Sequence, residues 1–212
     1  EVAREMTVKA GQKCTAIRRA LVPRAHLEAV AQAVAAKLAT LRTGDPAIEG
    51  VQMGALASRA QVADVGDKVA QLLAAGCRRV AGGPEGFRPE GDGVGQGAFF
   101  APTLLACEDP WATEAVHEVE AFGPVSTLVP YDDFDEALAL AARGRGSLVC
   151  SLVTDSPVLA QRALPVVGAW HGRLLVLDAT AAAESTGHGS PLPALRHGGP
   201  GRAGGGDELG GL

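Results

Sequence analysis

Residues 124–177 read PVSTLVPYDDFDEALALAARGRGSLVCSLVTDSPVLAQRALPVVGAWHGRLLVL, and the spacing of their apolar residues decides the fold class. Residues 124–131 are apolar and β-branched and read as a strand. Asp132-Asp133 then opens a helix with Phe134, Ala137, Leu138 and Ala141 at three- and four-residue intervals, and Gly144 closes it. A strand follows at 148–153, a helix at 157–164 and a continuously apolar strand at 173–177. Strands alternating with helices predict an α/β domain, a mostly parallel twisted sheet flanked by helices.

The first half extends the pattern. Residues 15–22 read as a strand that Pro23 stops. Leu27, Val30, Val34 and Leu38 mark a helix over 24–41, ended by the turn Gly44-Asp45-Pro46. Ser58 is placed to cap a second helix with Val62, Val65, Val69 and Leu72, which Gly76 closes. Arg78–Ala81 is a short strand, 84–97 a Gly/Pro/acidic loop, and 99–107 extended chain. With no internal repeat and no linker, one domain over residues 1–212 is expected.

Composition excludes several classes. With 47% apolar and 20% charged residues, the 212-residue chain is not a disordered polyelectrolyte. Its 19 Lys plus Arg against 24 Asp plus Glu give −5, which argues against nucleic acid as a partner. No apolar run reaches the ~18 residues of a membrane-spanning helix, so no membrane partner is expected. Cys14, Cys77, Cys107 and Cys150 lie at least 30 residues apart without a CxxC pair. No metal site and no disulfide framework is therefore expected, and a cytoplasmic location fits best. The first residues carry no signal-like apolar core and no Met, so the chain is expected to start inside a longer protein. Ten of the 28 glycines fall between Gly187 and Gly211, too many for regular helix or strand there. Residues 184–206 are expected to be an ordered functional loop.

Three stretches could carry chemistry. In Gly11-Gln12-Lys13-Cys14-Thr15, a cysteine beside Lys13 and near Lys9 could be an activated nucleophile, or a small buried apolar residue. In Glu118-Val119-Glu120-Ala121-Phe122-Gly123-Pro124, a carboxylate could accept from sugar hydroxyls with Phe122 as a ring face. Alternatively, this is a solvated acidic loop anchored by one Phe. Gly199-Pro200-Gly201-Arg202-Ala203-Gly204 spells G-x-G-x-x-G, but Pro200 interrupts it and no strand–helix junction surrounds it, so it is rejected as a dinucleotide fingerprint.

Taken together, these stretches resemble the aldehyde dehydrogenase superfamily. Gly11-Gln12-Lys13-Cys14 is similar to its nucleophile loop G-Q-x-C, and Glu120-Ala121-Phe122-Gly123-Pro124 to its E-x-F-G-P segment. Gly44-Asp45-Pro46 fits in order and separation. Longer strings, Arg4 through Arg19, Glu184 through Pro193 and His197 through Gly206, resemble the branch that oxidises a CoA-linked semialdehyde in bacterial phenylacetate degradation.

The resemblance implies Cys14 as catalytic nucleophile, Glu120 and Phe122 as contacts of the nicotinamide end, NADP as cofactor, and a homo-oligomer in the full-length enzyme. It further implies that 1–212 is the catalytic domain, with the cofactor-binding and hydratase domains lying outside it, and that the fragment alone is inactive. Asp178 and Asp207 depart from the Asn and Glu of the pattern, and an Asp at 178 could loosen a buried hydrogen bond. Two further readings stand beside this one, a CoA-acylating aldehyde dehydrogenase and a non-catalytic scaffold or assembly partner.

Overall fold

In the computed structural model, which describes residues 1–190 and 197–204, the chain folds as two units, Glu1–Tyr131 and Asp132–Leu212. The first holds β1 (Arg19–Pro23), β2 (Arg78–Ala81), β3 (Thr103–Ala106) and β4 (Val125–Tyr131) in one sheet of order β1-β4-β3-β2. β4 runs parallel to β1 and β3, while β2 is antiparallel to β3. β3 is buried throughout and β4 through its first six residues, Thr103, Ser126 and Thr127 included, so both lie inside the sheet.

Four helices belong to this unit: α1 (Val2–Thr7), α2 (Leu27–Ala39), α3 (Arg59–Ala74) and α4 (Ala115–Glu118). Met6 of α1 and Ala31 and Leu38 of α2 join Val22, Leu104, Ala106 and Leu128 in one core. Ser58 caps α3 as its sequence predicts, its hydroxyl accepting from the Gln61 amide at 3.2 Å. α3 buries Val65, Val69 and Leu72. β1 starts later than expected. Residues 13–16 form a turn, the Ala16 amide donating to Lys13 O at 3.1 Å, and the Arg18 side chain reaches back over this loop to Gly11 O.

The second unit holds α5 (Phe134–Ala142), β5 (Ser147–Val153), α6 (Pro157–Trp170), β6 (His171–Leu177) and α7 (Ala181–Glu184). β5 and β6 pair in parallel from Ser147 opposite His171 to Val153 opposite Leu177. Asp133 and Ser156 cap α5 and α6, accepting from Glu136 N at 2.9 Å and Leu159 N at 3.4 Å. α6 continues past the expected stop at 164. Proline's φ suits a helix, and Ala163 and Val167, four residues apart on one buried face, carry the helix across Pro165. His171 then closes it, its Nδ1 lying 2.9 Å from Val167 O.

In the glycine-rich stretch, His188 is buried with Nδ1 2.7 Å from Ser151 Oγ. A Cβ at Gly199 would meet the Ser147 carbonyl, so this backbone lies close on the start of β5. Residues 191–196 and 205–212, including Asp207, lie outside the described residues. Asp178 is exposed and makes no buried hydrogen bond of the kind expected. Its Oδ1 accepts from Ala181 N at 2.6 Å, at the start of α7. Among the described residues no helix is long and apolar enough to cross a membrane, and no His/Cys/Asp/Glu group could hold a metal ion.

Candidate active site

The loop that carries Cys14 begins with an uncommon backbone. Lys9 and Ala10 both sit at φ 53° and Gly11 at φ 68°, three consecutive residues in the left-handed region. For Lys9 and Ala10 this costs on the order of 1 kcal/mol each, so surrounding contacts must hold them. Gly11 is required twice over. Its φ suits glycine, and a Cβ there would run into the Gly123 carbonyl. Gly123 is itself pressed against Val65 of α3, where a Cβ would crowd the Val65 side chain.

Gln12 and Arg18 join this loop to residues 120–124. The Gln12 side-chain amide donates to Phe122 O at 3.2 Å and Gln61 Oε1 at 3.1 Å, and its Oε1 accepts from Ala57 N at 2.7 Å. Arg18 donates through one terminal nitrogen to Gly123 O at 2.7 Å and through the other to Gly11 O at 2.7 Å. Its Nε lies 3.6 Å from Glu120 Oε1, and its guanidinium carbon lies 5.2 Å from the Phe122 ring centre. One planar fork therefore holds both segments in register, a task that suits Arg and not Lys.

Cys14 is exposed, Cys77 and Cys107 are buried, and Cys150 is intermediate. Around Cys14 the structure adds a further cation, Arg18, to the two lysines read from sequence. The Lys13 ammonium lies 2.6 Å from the buried Glu5 carboxylate, so its charge is largely answered, and Lys9 is exposed. Arg18 also feels the charge of Cys14. Burial lowers the Arg18 pKa, and the charges of Glu120 and then Cys14 raise it. Glu120 keeps 52% of its side chain open to solvent, so its oxygens can accept further bonds, and Phe122 is half-buried.

The sequence singled out Cys14, Glu120 and Phe122, and the structure brings their two segments together. It also adds Arg18, Gln61 and Glu5, which sequence reasoning missed. The one available signal was an arginine pair, Arg18-Arg19, inside an apolar run, since a charged side chain there must find partners. A cavity of about 270 Å³ lies elsewhere in the first unit, lined by Leu38, Arg42, Phe87, Arg88 and Glu90 among others, and by no residue of this site.

The aldehyde dehydrogenase family profile matches residues 1–185. A 3,4-dehydroadipyl-CoA semialdehyde dehydrogenase of Aromatoleum evansii is 46% identical over 200 residues, 94% of this chain and 39% of that protein. Protein MaoC of Klebsiella aerogenes is 54% identical over 160 residues, 76% of this chain and 46% of that protein. The chain thus spans less than half the length of these curated relatives.

Among solved structures, betaine aldehyde dehydrogenase of Staphylococcus aureus, determined with NAD+, aligns with 99% of this chain and 39% of its own at TM-score 0.80 and 24% identity. Aldehyde dehydrogenase C of Pseudomonas syringae, determined as a mutant with NAD+ and octanal, aligns with 97% of this chain and 39% of its own at TM-score 0.75 and 26% identity.

Proposed function

This chain belongs to the aldehyde dehydrogenase family, and from that premise we propose that it is the catalytic portion of an oxidoreductase converting a CoA-linked semialdehyde to its acid. The observation that carries the reading is the Arg18 fork, which ties the exposed Cys14 loop to the segment bearing Glu120 and Phe122.

In this reading the Cys14 thiolate attacks the aldehyde carbon and forms a thiohemiacetal. The Cys14 backbone N–H donates to the developing oxyanion, where charge appears in the transition state. A nicotinamide dinucleotide, when bound, accepts the hydride. The residues present fit that group, since Glu120 has a half-open carboxylate for ribose hydroxyls and Phe122 a half-buried ring. Arg18 acts as a positioning residue that fixes both. Cys14 is left as a thioester, which water hydrolyses with the help of a base.

NADP as the cofactor and phenylacetate degradation as the setting rest on the strings quoted above. Most of the dinucleotide's affinity, and the base, are assigned to sequence beyond these residues. Two contacts at the nicotinamide end are too few to offset the ordering of a free dinucleotide. The 212-residue chain alone is therefore expected not to turn over.

The test follows NADPH absorbance with a CoA-linked semialdehyde, on the polypeptide that the gene encodes and on the 212 residues alone, with NAD in parallel. The expected result is turnover by the former with NADP, reduced about 10³-fold or more in Cys14→Ala. Undiminished turnover in Cys14→Ala would overturn the assignment. Turnover by the 212 residues alone would show that the base and cofactor affinity are internal.

A further inference from the structure

A second pair of sulfurs lies apart from the Cys14 loop. Cys77 directly precedes β2 and Cys107 directly follows β3, and these strands run antiparallel with Arg78 opposite Ala106. One step outward along the ladder sets Cys77 opposite Cys107. The Cys107 amide donates to Leu128 O at 2.9 Å on β4, and the Cys77 amide donates to Leu72 O at 3.1 Å in α3. Neither amide serves the β2–β3 ladder, so this is a non-hydrogen-bonded pair. In such pairs opposing Cα atoms approach to ~4.5 Å, inside the range that a disulfide needs.

Both residues are in the core, Cys77 at 6% and Cys107 at 0% exposure. In the ladder register their side chains stand on the same face of the sheet, directly across from each other. Interaction with Cys77 lowers the Cys107 pKa most, with further help from the Thr113 hydroxyl and the Asp109 backbone, against the effect of burial. Interaction with Cys107, then burial, raises the Cys77 pKa. Of the two sulfurs, Cys107 is the more readily deprotonated.

We propose that Cys77 and Cys107 form a dithiol site at which a hydroperoxide is reduced and the two cysteines close to a disulfide. The Cys107 thiolate attacks one peroxide oxygen and the O–O bond breaks. The leaving oxygen takes a proton and departs as water or an alcohol, leaving Cys107 as a sulfenic acid. The Cys77 sulfur then attacks the Cys107 sulfur and the S–O bond breaks. The hydroxide leaves as water with the Cys77 proton. In total the two thiols give up two electrons and two protons, and hydrogen peroxide becomes two waters. The product fastens β2, which among the described residues is an edge strand paired with β3, across the loop between the two cysteines.

The test treats the 212-residue chain with hydrogen peroxide, alkylates the remaining thiols and maps the non-reduced digest by mass spectrometry. The expected product is a Cys77–Cys107 linked peptide, about 2 Da lighter than the two thiol peptides together and released by dithiothreitol. The link should vanish in Cys77→Ser and in Cys107→Ser, and in guanidinium, where the register is lost. Recovery of Cys77 and Cys107 as free thiols would overturn the proposal. So would their recovery as separate sulfinic acids, links from either to Cys14 or Cys150, or equal linkage in guanidinium.

Discussion

The two units of this chain bury their apolar residues differently, and the chemistry follows the difference. In Glu1–Tyr131 the central strands are closed on both faces, with Leu104, Leu105, Leu128 and Val129 at 0% exposure. In Asp132–Leu212 the sheet has two strands, and Val153, Val158 and Leu164 remain 78%, 62% and 55% exposed. A closed sheet is a rigid base on which a strained loop can be held. The loop at Lys9–Gly11 and its Arg18 fork are built on that base, whereas the second unit offers helix caps and a small core of Leu138, Ala163 and Val167.

The largest effect that should separate the units comes from matched truncations. Leu104→Ala is expected to destabilise the first unit by about 3–4 kcal/mol through lost burial and the cavity left behind. Leu164→Ala is expected to change the second by less than about 0.5 kcal/mol, since its side chain is already wet. Each unit contains one tryptophan, Trp111 and Trp170, so urea unfolding followed by fluorescence in Trp111→Phe and Trp170→Phe backgrounds reads them separately. Equal losses would break the comparison.

A smaller effect should come from the site itself. Arg18→Ala leaves the Gly11 carbonyl without its donor and the Gly123 carbonyl with the Val125 amide alone, and is expected to cost about 2–3 kcal/mol. Arg18→Lys should recover little, because an ammonium cannot span both carbonyls in one plane. The readout is again the Trp111 transition, and full rescue by lysine would show that charge alone matters.

Much of the fold was legible because its signals are local. The caps at Ser58 and Asp133, and the buried runs of β3 and β4, follow from residue type and spacing. The misplaced start of β1 and the passage of α6 through Pro165 were not legible. Each depends on a partner distant in sequence or on burial of a face that periodicity does not rank. Cys14, Glu120 and Phe122 stood out because small motifs surround them. Glu5, which answers Lys13, had no such signal, since an acidic residue in a polar helix start looks solvated until its 2% exposure is seen. For the same reason the adjacent lysines were legible as cations near Cys14 while Arg18 was not.

The central claim is that the Gly11–Thr15 loop, held by Arg18, presents the reactive thiol. It is tested most directly by brief treatment of the folded chain with limiting iodoacetamide at pH 7, followed by mass-spectrometric mapping of all four cysteines. Cys14 should be alkylated first, ahead of Cys150, Cys77 and Cys107, and an added aldehyde should slow the modification of Cys14. Alkylation of Cys77, Cys107 or Cys150 ahead of Cys14, or no slowing by aldehyde, would contradict the account.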